Sequence, residues 1–375
     1  MTAMTCKIAI SANSAWYLAN FRLNLAKALQ DAGCEVIAVG PPGADAARIE
    51  AAGVRFISVP MSPNSMNPLR DIDYFMRLFR ILQQERPSAC LSYTVKPNVY
   101  GGMACRLLGI PAILNIAGLG SVFIRDGWLA RAVQLLYRLG MSRAYRVFFQ
   151  NPDDMEMFLR RGLVTLDQSD RLPGSGVDLE HFSPVPLPEP GAHAPFRFLL
   201  IARLLWDKGI GEFVEAARQL RAEGRAVECQ LLGFLGSENP SAVPPEEVEA
   251  WERDGVITHL GTAEDVRPHI ANADCVVLPS YREGTPRSLL EAAAMARPII
   301  TTDSVGCREV VDDGSNGFLC RPRDAAGLAD KMRRMMDLPH PARAEMGQMG
   351  RKKMVREFDE SIVIDRYLQA VKKFQ

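Results

Sequence analysis

Short apolar runs alternate along most of the chain with stretches of helical period, and that alternation predicts an α/β architecture with parallel sheets. Residues 7–10, 34–39, 55–59, 89–93, 112–116 and 146–150 read as strands, with helices expected to about residue 30, over 71–85, from about 100 and over 152–161. A second series opens at 196–202 and continues through 230–233, 256–261, 275–280 and 298–302, then a turn into a short strand at 313–319 and helices from about 324. Between the two series Pro184, Pro188, Pro190 and Pro195 surround Gly191 and read as a connector. The pattern therefore predicts a first domain at 1–182, a linker at 183–195 and a second domain at 196–357.

The densest candidate chemistry follows the strand at 275–280. Tyr281-Arg282-Glu283-Gly284-Thr285-Pro286-Arg287 leads into an apolar helix that carries Glu291. Thr285 is a plausible N-cap and Pro286 a natural first helical residue, which leaves the N–H groups of Gly284 to Ser288 at a partly positive helix end. Such an end attracts phosphate. An ionised carboxylate among Leu289, Leu290 and Ala292 to Ala294 needs a donor, and sugar or ribose hydroxyls supply one. An ordinary i, i+4 pair between Arg287 and Glu291 is the other reading.

Charge and cysteine content narrow the class. Lys plus Arg and Asp plus Glu are both 44, so no overall field favours nucleic acid. The exception is local: between residues 101 and 150, Arg106, Arg125, Arg131, Arg138, Arg143 and Arg146 face a single acid, Asp126. The stretch 125–146 reads either as a basic amphipathic helix on an anionic membrane surface or as a helix that simply covers a sheet. The eight cysteines show no Cys-x-x-Cys spacing and read as reduced core residues. No signal peptide or membrane-spanning run is read, so a cytoplasmic protein, soluble or peripheral, is expected.

Two common nucleotide motifs are missing. Gly118-Leu119-Gly120 has Phe123 where a third glycine would complete a dinucleotide fingerprint, and no Gly-Lys-Ser/Thr phosphate loop occurs. Gly118 either permits close backbone approach to a ligand or serves tight turning alone. In the second domain Arg203 and Lys208 flank the loop after residues 196–202, where two cations can neutralise a diphosphate as it departs or stand merely solvated. Gly233 and Leu260-Gly261 end the next strands, where a flat base can enter. His181 and His259 have no acid or nucleophile partner at a recognisable spacing and read as structural.

Arg203 with Lys208, then Gly233, then Leu260-Gly261, then Glu283-x7-Glu291 and Gly306 to Glu309 stand in the order of the family-4 retaining glycosyltransferases, which the whole chain resembles. Through 201–209 and 277–284 it looks most like bacterial capsule and lipid-linked oligosaccharide enzymes, such as those acting on diphospho-undecaprenol-linked bacillosamine. The resemblance implies a GT-B fold: two Rossmann-like domains with parallel sheets facing across a cleft, and a final helix, 358–374, crossing back to the first. It implies that Glu291 holds the ribose, that Glu283 with Gly284, Thr285, Pro286 and Arg287 hold the donor, and that Arg203 and Lys208 hold the diphosphate, with no metal and no cofactor. Ala117 departs from a histidine common among relatives, which leaves Asn13, Lys96, Asn98, Asn115 and Gly118 as candidates for donor-sugar or acceptor contacts.

The expectation is a retaining, metal-independent hexosyltransferase on the inner face of the plasma membrane. It would move a hexose or N-acetylhexosamine from a UDP-sugar to an undecaprenyl-diphosphate-linked saccharide. Transfer to a lipopolysaccharide-core or soluble acceptor, or a non-catalytic sugar-nucleotide-binding subunit, are the alternatives. Presence of Arg203, Lys208, Glu283 and Glu291 together argues against the last.

Overall fold

The structure is a computed structural model that describes residues 6–62, 67–118, 128–189, 191, 194–236 and 239–375, the side chains of 128–130 excepted. Leu119, Gly120, Phe123, Arg125, Asp126 and Pro190, singled out in the sequence, lie outside the described residues. Two compact units result, Met1–Ser175 with Ser361–Gln375, and Gly176–Glu360.

In the first unit the strands are β1 (Lys7–Ser11), β2 (Glu35–Gly40), β3 (Arg55–Ser58), β4 (Ala89–Tyr93), β5 (Ala112–Ile116), β6 (Arg146–Phe149) and β7 (Ser169–Arg171). They form one sheet in the order β3-β2-β1-β4-β5-β6-β7, parallel at every pairing. The helices are α1 (Ala15–Phe21), α2 (Leu23–Asp31), α3 (Ala46–Ala51), α4 (Pro68–Glu85), α5 (Gly102–Leu108), α6 (Trp128–Met141) and α7 (Pro152–Arg160). Both faces of the sheet are covered, as the continuous apolar runs require. One face packs under α1 to α3 and the chain's last helix, the other under α4 to α7.

Local sequence accounts for α4, the longest of these helices. Asn67 accepts from the Leu69 N–H at 3.0 Å, Pro68 takes the first helical position, and Arg86 closes the end in the left-handed region. Tyr74, Leu78 and Leu82 recur at i, i+4 and i+8 and make the buried stripe. The edge strand β7 gave no apolar run to read, because Ser-Asp-Arg pairs through its backbone with β6 alone.

The second unit has β8 (Phe196–Ile201), α8 (Ile210–Ala222), β9 (Val227–Leu232), α9 (Pro245–Arg253), β10 (Thr258–His259), α10 (Arg267–Asn272), β11 (Cys275–Leu278), α11 (Arg287–Ala294), β12 (Ile299–Thr302), β13 (Gly317–Cys320), α12 (Ala325–Asp337) and α13 (His340–Lys353). Its sheet runs β10-β9-β8-β11-β12-β13, again parallel throughout. All eight cysteines of the chain are free and buried.

The chain leaves the first unit at Ser175, earlier than the proline pattern placed the boundary. The reason is a pair of arginines that hold the following segment on the second unit. Arg351 donates to the carbonyls of Leu179 (3.1 Å) and Phe182 (2.9 Å), and Arg297 to those of Val185 (2.9 Å) and Pro186 (2.8 Å). The C-terminal segment also departs from a single helix over 358–374. A π-turn at Met354–Phe358 precedes α14 (Glu360–Val371), and a 3-10 turn at Lys372–Phe374 follows it. Val363, Tyr367, Ala370 and Val371 of α14 enter the core of the first unit.

Candidate active site

In the second sheet the strand order reverses between β8 and β11, the place where parallel sheets open a crevice at their carboxyl ends. The loops that leave these two strands carry Lys208 and Glu283. Their backbones are joined: the Tyr281 N–H donates to the Asp207 carbonyl at 3.0 Å, and the Ser280 hydroxyl donates to the same oxygen at 3.2 Å. Gly209 sits at φ +74°, and a Cβ there would overlap the Pro279 carbonyl. Only glycine meets both demands.

A third loop, after β12, closes the arrangement. Glu283 N–H donates to the Val305 carbonyl at 2.9 Å, and Gly306, at φ +84°, lies so close that a Cβ would overlap the carbonyls of Glu283 and Gly284. Behind it, the Ser280 carbonyl accepts from the hydroxyls of Thr302 and of Ser304, the latter at 3.0 Å. These hydroxyls are buried and mutually satisfied, so the backbone that carries Glu283 is held from beneath. Gly209→Ala is therefore expected to lower the thermal unfolding midpoint by several degrees, since the left-handed strain of ~1–2 kcal/mol adds to the overlap; an unchanged midpoint would contradict the close approach.

Lys208 Nζ donates to Glu283 Oε1, and both side chains are largely shielded from water. An ammonium and a carboxylate so placed offer a ligand a cation and an acceptor side by side. Arg203 stands on the same loop, exposed, with no ion pair among the described residues. Helix α11 begins one residue later than the sequence suggested. The Pro286 carbonyl accepts from Leu289 and Leu290, which makes proline the N-cap, and no side chain caps this end. Thr285 is thus outside the helix.

Glu291 is buried, and Arg287 Nε donates to its Oε1 at 2.7 Å. The i, i+4 pair therefore forms. Burial pushes the Glu291 carboxyl above its ordinary pKa, and the Arg287 guanidinium only partly offsets this. Gly233 donates its N–H to the Gly261 carbonyl at 2.8 Å and lies against the Ala202 carbonyl, while Leu260 is half-buried beside it. His259 contacts the Gly233 carbonyl through Nε2 at 3.0 Å.

The first-unit candidates separate into two groups. Asn13 and Gly118 are half-buried in loops beyond β1 and β5. Asn98 and Asn115 are instead buried in the core: Asn98 Nδ2 donates to the Asn115 carbonyl at 2.7 Å, and Asn115 Nδ2 to the Tyr367 hydroxyl at 2.9 Å. Their amides join β5 to the helices around it. Lys96 is held by Asp71 at 2.5 Å and by the Ser62 carbonyl at 2.8 Å. An open cavity of about 550 Å³ lies beyond the ends of β2 and β3, bordered by Pro41, Pro60, Met61, Leu69 and Arg70.

Comparison with known proteins fits this geometry. Residues 18–173 match the family described as glycosyl transferase 4-like domain, and residues 195–337 the family described as glycosyl transferases group 1. The chain is a GT-B glycosyltransferase. The N,N'-diacetylbacillosaminyl-diphospho-undecaprenol alpha-1,3-N-acetylgalactosaminyltransferase of Campylobacter jejuni is 28% identical over 364 residues, which is 93% of this chain and 94% of that protein. A putative colanic acid biosynthesis glycosyltransferase of Escherichia coli is 29% identical over 196 residues, 50% of this chain and 47% of that one. Among solved structures, Anabaena Alr3699/HepE in complex with UDP-glucose superposes with a TM-score of 0.80 at 18% identity, covering 98% of this chain and 99% of that one.

Further residues that no sequence motif marks also shape the glycosyltransferase's site. Tyr281 donates its hydroxyl to Glu212 at 2.7 Å on α8 and lies under the Arg323 guanidinium at 4.6 Å, fixing the loop from a second side. Ser280, Thr302 and Ser304 are small polar residues at strand ends, a pattern that signals a turn as readily as a buried hydroxyl cluster.

Proposed function

We propose that this glycosyltransferase is a retaining enzyme that transfers a hexose or N-acetylhexosamine from a UDP-sugar to an undecaprenyl-diphosphate-linked saccharide, in assembly of a bacterial surface glycan. The observation that carries the reading is the Lys208–Glu283 pair at the β8/β11 switch point, with buried Glu291 one helix turn away from the same loop. Glu291 accepts from the ribose hydroxyls and Glu283 from the donor sugar. Lys208 and Arg203 neutralise charge on the departing diphosphate, which makes a metal ion unnecessary. The glycosidic C–O bond to the diphosphate breaks, the acceptor hydroxyl attacks from the same face, and the leaving phosphate oxygen takes its proton. The acceptor assignment rests on the Campylobacter jejuni relative, whose name specifies a diphospho-undecaprenol-linked acceptor. A position on the inner face of the membrane follows, and the exposed side of α6, with Arg131 and Arg138, suits it.

The test is the anomeric configuration of the product, read by NMR from a reaction run with a chelator. Retention with undiminished yield is expected; inversion, or a yield abolished by chelation and restored by a divalent cation, refutes the mechanism. A second expectation concerns pH. Since the Glu291 carboxyl titrates above an ordinary glutamate (~4.3), donor affinity should begin to fall at a higher pH than that as acid is added, and Glu291→Gln should flatten the fall. Glu291→Ala should lower kcat/KM by at least ~10-fold, the equivalent of ~1.4 kcal/mol. KM for the donor between pH 4 and 8 checks both.

A further inference from the structure

Among the described residues, thirteen large apolar side chains are exposed, and six of them lie on one layer of the first unit. They are Leu69, Ile72 and Met76 on α4, Leu107 on α5, and Leu135 and Leu139 on α6. Leu69 is 76% exposed, Leu107 67%, Ile72 58% and Leu135 57%, so these side chains stand in water over most of their surface. The helices on the opposite face of the same sheet, α1 to α3 and α14, expose a single one, Trp16. Helix α5 packs against both α4 and α6 over one core, which sets the three outer faces side by side.

The exposed charges on that face are mainly positive. Arg70, Arg77, Arg80, Arg106, Arg131 and Arg138 are exposed on these three helices. The acids are few and engaged: Asp73 pairs with Arg77 at 2.8 Å, Asp71 with Lys96, and Glu85 with Lys7 and Arg55. Neither α5 nor the described part of α6 carries an acid. Apolar side chains interleaved with a net excess of arginine match an anionic bilayer, whose headgroups take the guanidinium groups while the leucines enter the acyl boundary. A second copy of this chain would bring arginine against arginine, which disfavours self-association through this face.

We infer that α4, α5 and α6 together form the surface by which the protein lies on an anionic lipid bilayer, with α4 and α5 supplying most of its apolar contact. The inference rests on the membrane-linked acceptor proposed above and extends it from one helix to three. No helix among the described residues is long and apolar enough to cross a membrane, so attachment by this surface is peripheral.

The experiment is flotation of the full chain with phosphatidylcholine vesicles containing 30% phosphatidylglycerol, compared with pure phosphatidylcholine. Wild type is expected to float with the anionic vesicles. Ile72→Asp combined with Leu107→Asp should lower the partition coefficient at least ~10-fold, with an unchanged thermal midpoint and unchanged UDP release using a water-soluble acceptor. Arg80→Glu with Arg138→Glu should lower it too, and 0.5 M salt should abolish most of that difference. Equal flotation of the Ile72/Leu107 variant, or no flotation of wild type, overturns the inference. So does a lipid-free dimer that the same substitutions dissociate, which would assign the face to a second copy. Catalysis with the soluble acceptor separates either failure from failure of the glycosyltransfer reading.

Discussion

Replacing Lys208 by methionine is expected to lower kcat/KM by about 10²–10³-fold, the scale on which loss of one preorganised electrostatic stabiliser registers. The side chain leaves a left-handed glycine turn that fits only against the Pro279 carbonyl, and its ammonium is held on Glu283 before any ligand arrives. Reorganisation during the reaction is therefore small, which is why its removal should be felt in the transition state and not only in donor binding. The substitution also takes the Lys208 cation from the Glu283 carboxylate, which is shielded from water. Lys208→Met with Glu283→Gln should then lose less than the two single losses combined. Steady-state kinetics on the three variants checks this; a Lys208→Met enzyme within ~3-fold of wild type would remove the ammonium from the reaction.

A comparable loss, in stability and not in chemistry, is expected at Arg297. Its side chain is fully buried and forms no ion pair among the described residues. The guanidinium donates to five carbonyls, those of Ile270 (2.9 Å), Val185 (2.9 Å), Met295 (3.4 Å), Pro186 (2.8 Å) and Ala271 (2.8 Å). Burial pulls its pKa down to about 10, only partly offset by the nearby Asp274 charge, so it remains charged at neutral pH, held chiefly by carbonyl dipoles. Arg297→Met removes the guanidinium donor from all five carbonyls and leaves residues 185–186 held less tightly. A loss of about 3–5 kcal/mol follows from breaking such a buried network, or a fall of roughly 10 °C in the unit's unfolding midpoint. Lysine at this position, with three donors on a point charge, should recover only part of it. Calorimetry decides: a shift below ~2 °C would mean that water satisfies the carbonyls equally well.

The contrast between these residues shows what the sequence makes legible. Lys208 and Glu283 stand at strand ends after clear apolar runs, where charged side chains have few structural uses, and both lie at the switch point. The strands themselves were readable because sheets covered on both faces leave near-continuous apolar runs. Arg297 follows Met295-Ala296 and precedes Pro298, and nothing local distinguishes a guanidinium that reaches five distant carbonyls from a solvated one. Asn115 offered a signal that points the other way: an amide in the middle of Ala112–Ile116 belongs to the core, where it must find partners, and it finds Tyr367. The proline-rich stretch resembled a loose connector by composition, yet arginines from elsewhere in the second unit hold it in place. Thr285 and Pro286 were misplaced by one helical position because either residue satisfies the rules for a helix start.

The decisive measurement is release of UDP from a panel of UDP-sugars, with and without a short-chain polyprenyl-diphosphate-linked amino sugar. Release from one donor is expected to depend on that acceptor and to fall about 10²–10³-fold with Lys208→Met. Donor binding without acceptor-dependent release from any member of the panel would contradict the proposed transfer.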